Sequence, residues 1–129
     1  MGLVQLDEPR PLNDAERSML LALLAPEYPG VSELRSQVPD AVVVGKCDCG
    51  CPTVDIKVPP SAPRSRVQTK NRLAPYEGRV APLRDEPAGD IILFVDDGYL
   101  SSLEYVPYAD PSPAEWPSLD RVEVFQVQG

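Results

Sequence analysis

The sequence predicts an α+β fold, with two N-terminal helices packed on one face of a mostly antiparallel meander sheet of four or five strands. Three observations carry this expectation. Apolar residues recur at helical spacing between Asp14 and Val38, and no clear helical stripe follows Pro39. From Ala41 onward they alternate, or run in β-branched blocks between turn signals. The chain also holds 16 prolines, where average usage would give about six. Each proline removes a backbone donor and breaks helices and central strands, so long regular elements are excluded over much of the chain.

Residues 1–12 carry Leu3, Val4 and Leu6 ahead of Pro9 and Pro11, an extended lead-in that can serve as an edge strand. Asn13 is a good N-cap, and Glu16 three residues later completes a capping-box pattern. Asp14 and Glu16 sit where the helix dipole favours anions. Met19, Leu20, Leu23 and Leu24 form the inward stripe of this first helix, which Pro26 ends. Pro29 and Gly30 punctuate a turn. Val31, Leu34 and Val38 then share one face of a second, shorter helix stopped by Pro39.

The strands are expected at about 40–47, 52–58, 73–80, 90–96 and 99–106. Val54, Ile56 and Val58 alternate inward, and Ile91 to Val95 is the most apolar run, hence a central strand. Asp97-Gly98 offers the positive φ of a type I′ hairpin turn. The return strand from Tyr99 alternates imperfectly, which allows a bulge. Residues 59–72 hold three prolines, three arginines and one lysine with no acid, and read as an exposed, mobile basic loop. Residues 107–119 are too proline-rich for a regular element, with Trp116 placed to anchor them. Val122, Val124 and Val127 suggest a last short strand. At 129 residues the chain fits one domain, residues 1–129.

All three cysteines, Cys47, Cys49 and Cys51, lie in Gly45-Lys46-Cys47-Asp48-Cys49-Gly50-Cys51-Pro52, between two expected strands. Three readings stand. The cysteines can pack as small hydrophobes in a tight bend. They can bind zinc, with Asp48, another carboxylate or water completing the four ligands, since the chain has no histidine. They can also act in redox chemistry, although the spacing is not C-x-x-C. In a straight strand, residues two apart sit roughly 6.5–7 Å apart. Shared coordination therefore requires the bend that Gly50 and Pro52 permit. Three thiols fall short of the four that an iron–sulfur cluster normally takes, so zinc is the metal expected.

The cysteine stretch, together with Leu93-Phe94-Val95-Asp96-Asp97-Gly98, Leu100-Ser101-Ser102-Leu103-Glu104 and Ala114-Glu115-Trp116-Pro117, resembles a family of small, acidic, uncharacterised bacterial proteins. The resemblance spans much of the chain from Gly45 onward. It implies a stand-alone cytoplasmic protein and carries over no activity and no catalytic residue.

Net charge is −8, which opposes binding to nucleic acid or an anionic membrane and suits a basic partner. No apolar run is long enough to span a bilayer. Neither a signal peptide nor a secreted disulfide framework is expected, because the N-terminus lacks a basic region and the cysteine count is odd. Without histidine there is no Ser-His-Asp or Cys-His system, and no glycine-rich phosphate loop occurs. The carboxylate pairs Asp85/Glu86 and Asp96/Asp97 fall in a loop and a hairpin turn. The expected function is a non-enzymatic protein-interaction module. Like small immunity or antitoxin proteins, it would present carboxylates to a basic protein partner. The alternative is a small zinc protein using Cys47, Cys49 and Cys51.

Overall fold

The computed structural model describes residues 3–110 and 112–127. Strand β1 (Leu3–Pro11) leads into helices α1 (Asp14–Leu23) and α2 (Val31–Gln37). There follow β2 (Val42–Cys47), β3 (Val54–Lys57), β4 (Tyr76–Val80), β5 (Gly89–Asp96), β6 (Tyr99–Pro107) and β7 (Val122–Gln126). Short 3-10 turns occupy Val38–Asp40 and Leu119–Arg121.

The α+β class and the antiparallel pairing agree with the sequence expectation, but the sheet is larger and differently ordered. It has seven strands rather than four or five, in the order β1-β2-β3-β6-β5-β4-β7. The two added strands are its edges. The order is not a meander, because β3 pairs with β6 and β4 pairs with β7. A direct β3–β4 pairing would leave the apolar β5–β6 hairpin at an edge. Inserting that hairpin centrally buries Ile91, Leu93, Val95, Leu100 and Leu103 instead.

The capping box forms as the spacing predicts. Asn13 Oδ1 accepts from the Glu16 backbone N–H at 2.8 Å, and Glu16 Oε1 accepts from the Asn13 N–H at 2.9 Å. Glu16 is almost fully buried and also receives both guanidinium nitrogens of Arg10, which ties β1 to α1. The stripe Met19, Leu20, Leu23, Leu24 and the stripe Val31, Leu34, Val38 all enter the core. Helix α1 lies against β4 and α2 against β6. Gly78 lets β4 approach α1: a side chain there would come within 3.4 Å of Leu23 and 2.9 Å of Val122.

The opposite sheet face is half exposed. Along β5, Ile91, Leu93 and Val95 are buried while Ile92 and Phe94 are only partly so. The imperfect alternation of β6 is a β-bulge. Phe94 faces Ser102 and Val95 faces Leu100, leaving Ser101 as the extra residue. Asp97 and Gly98 adopt φ of 52° and 84°, as a type I′ turn requires.

Residues 59–72 contain no helix and no strand of the sheet, but part of the segment is fastened down. Gln37, fully buried, donates to the Pro63 and Gly98 carbonyls and accepts from the Leu100 N–H. Ser65 is buried and donates to the Gly30 carbonyl at 2.6 Å, and its own N–H donates to the Gly98 carbonyl. In the C-terminal segment Trp116 stacks on Tyr105, with ring centroids 6.0 Å apart.

Candidate metal centre

Strand β2 ends at Cys47 and β3 begins at Val54, and the cysteine turn is the link between them. The Lys46–Val54 pairing and the Cys47 N–H to Thr53 carbonyl bond fix both ends of the turn. Gly50 takes φ of 89°, a left-handed conformation that glycine adopts without cost. The chain therefore curls instead of continuing as a strand, and the three cysteine side chains converge. Their Sγ atoms all lie within 4.8 Å of one another. A straight strand would hold them much farther apart, so the bend supplies the proximity that spacing alone does not.

Cys47 Sγ and Cys49 Sγ are 2.7 Å apart, and the Cys51 N–H donates to Cys49 Sγ at 3.4 Å. Cys49 is exposed, and Cys47 and Cys51 are intermediate. Donation from Cys47, Cys51 and the backbone holds the Cys49 thiol below its ordinary pKa. Sharing its proton with Cys49 pushes Cys47 up to about 12. The contacts thus favour the ionised form at Cys49 and disfavour it at Cys47.

The donor set fits zinc in type and spacing. Zn–S bonds of about 2.3 Å in a tetrahedron separate sulfurs by about 3.8 Å. The observed sulfurs, 2.7 Å apart for Cys47 and Cys49 and all within 4.8 Å, bracket that separation. No carboxylate oxygen joins the group among the described residues, and Asp48 itself is exposed. Beside the turn is a cleft of about 380 Å³ whose lining includes Cys51, Lys46, Arg10, Glu16, Glu115 and Trp116. Sequence reasoning did not bring the C-terminal segment to this place; the only local signal was Trp116 as an anchor.

The other acidic candidates fall elsewhere. Glu86 pairs with Arg121, and Asp97 pairs with Arg64, so both are structural partners. The half-exposed sheet face gathers Asp55, Glu77, Asp90 and Glu104. Burial raises the pKa of Asp55, Glu77 and Glu104, and the charge of Asp55 adds to the effect on Glu104. Arg72 lies over Phe94 and Arg79 over Phe125, at 5.4 and 4.4 Å from the ring centroids. No helix of the described residues is long and apolar enough to cross a membrane.

No protein-family model, curated protein sequence or solved structure matches the chain.

Proposed function

We propose that the protein binds zinc through Cys47, Cys49 and Cys51. The convergence of three Sγ atoms within 4.8 Å at an exposed hairpin turn is the observation that supports this reading. Packing alone gives no reason for three thiols to meet at the surface, because exposed sulfur gains little from burial. Three thiolates also leave the ion weakly electrophilic, so the reading has no catalytic step.

Protein purified without chelator is expected to hold one zinc per chain. Cys47→Ser, Cys49→Ser and Cys51→Ser should each abolish stoichiometric binding. Because thiols lose protons on coordination, affinity should rise with pH, by up to about tenfold per unit for each thiol still protonated. At free zinc 100-fold above Kd, the ion should add about 2.7 kcal/mol of stability, which a chelator would remove. Metal-free protein, with the three serine variants costing unequal amounts according to burial, would return the turn to a packing role.

A second reading rests on the half-exposed sheet face. Asp55, Glu77, Asp90 and Glu104 share it with Ile92 and Phe94, a mixture that suits a basic protein partner. Association with that partner should slow as salt rises from about 50 to about 150 mM. A salt-independent rate would remove the electrostatic case.

A further inference from the structure

Three thiolates leave a tetrahedral zinc one ligand short. Two carboxylates line the cleft beside Cys51, those of Glu16 and Glu115. Glu16 is committed: it is buried, accepts both nitrogens of Arg10 and caps α1 through Asn13. Glu115 is exposed and makes no ion pair among the described residues. Its neighbours hold the backbone in place, since Trp116 stacks on Tyr105 and Pro117 is buried. Asp48 is the rival. It is exposed and, unlike Glu115, does not line this cleft.

We infer that Glu115 is the fourth zinc ligand, swinging across the cleft to close the site when the ion binds. This rests on the zinc reading above and assigns what that reading leaves open. A zinc ion with three thiolates and one carboxylate carries a net charge of −2, and Lys46, which also lines the cleft, supplies an offsetting positive charge. Closure would fasten residues 112–117 to the β2–β3 turn. The ion would then join two parts of the chain that the sheet leaves far apart in sequence.

The chain's single tryptophan adjoins the proposed ligand and reports directly on closure. Zinc should change Trp116 emission in the wild type. Glu115→Gln should abolish that change and weaken zinc affinity by at least about tenfold, a loss that even groups outside the ligand set can produce. Asp48→Asn should leave both readouts as in the wild type. Cobalt substitution supplies an independent check: the visible spectrum should shift in Glu115→Gln and stay constant in Asp48→Asn. Full affinity and an intact emission change in Glu115→Gln would overturn the assignment while leaving the three-cysteine site standing. A loss confined to Asp48→Asn would transfer the role to Asp48. If the wild type binds no zinc, the site reading fails and this assignment with it.

Discussion

Asp55 and Glu104 show how a residue's neighbours across the sheet set its chemistry. Asp55 on β3 faces Ser102 on β6, so Glu104 is its diagonal neighbour on the same face. Partial burial holds both carboxyls above their ordinary values of 3.8 and 4.5. For Glu104 the charge of Asp55 adds to burial, and Arg72 offsets part of the rise in each. The folded protein therefore binds protons more tightly than the unfolded chain. Their contribution to stability is complete below the unfolded pKa values and falls away as pH rises through the folded ones. Glu104→Gln should consequently stabilise the protein at pH 7. The gain should be ~0.2–1 kcal/mol, the scale of solvent-screened charge interactions. It should vanish near pH ~4, and urea denaturation at the two pH values measures both. A destabilised variant at pH 7 would show that Arg72 outweighs Asp55 and burial.

Among the elements, α2 does more than fill the core. Its last residue, Gln37, ties the helix to the 59–72 segment and to the β5–β6 turn through three hydrogen bonds. Gln37→Leu keeps the volume roughly constant but strands the Leu100 N–H and the Pro63 carbonyl, while the Gly98 carbonyl keeps the Ser65 N–H. An unsatisfied buried group costs about 1–3 kcal/mol, so the variant should lose at least that much. Trypsin should also read the change. In the wild type the first cuts are expected at Arg66 or Lys70, which are exposed and lie beyond the Ser65 anchor. In Gln37→Leu, Arg64 should become an early site as well. An unaltered cleavage pattern with unaltered stability would mean that Ser65 and Arg64 hold the segment alone. None of these tethers was legible in the sequence. A glutamine inside a short helix carries no mark of a partner 61 residues away. The capping box of α1 was legible because both its residues lie within one turn of each other.

For the whole molecule, what could be read from sequence divides by the distance over which the interaction acts. The five inner strands follow from local alternation or from apolar, β-branched runs between turn signals, and the Asp97-Gly98 turn from local backbone preference. Strand order does not, because pairing β3 with β6 depends on which arrangement buries the β5–β6 hairpin. The two edges were legible only as an extended lead-in and a short valine run, left outside the count of four or five, because β1 is exposed along most of its length and shows no alternation. At the cysteine turn the three thiols were plain, while their convergence required the left-handed Gly50 and the cleft required a segment more than 60 residues downstream. The same edge strand has a consequence for self-association. A strand left at a sheet margin is ordinarily a template for another chain. Here Pro9 and Pro11 remove backbone donors, and the register slips between Gln5 and Arg10. The β1 margin of the sheet therefore resists growth by strand addition and does not become a route to fibres.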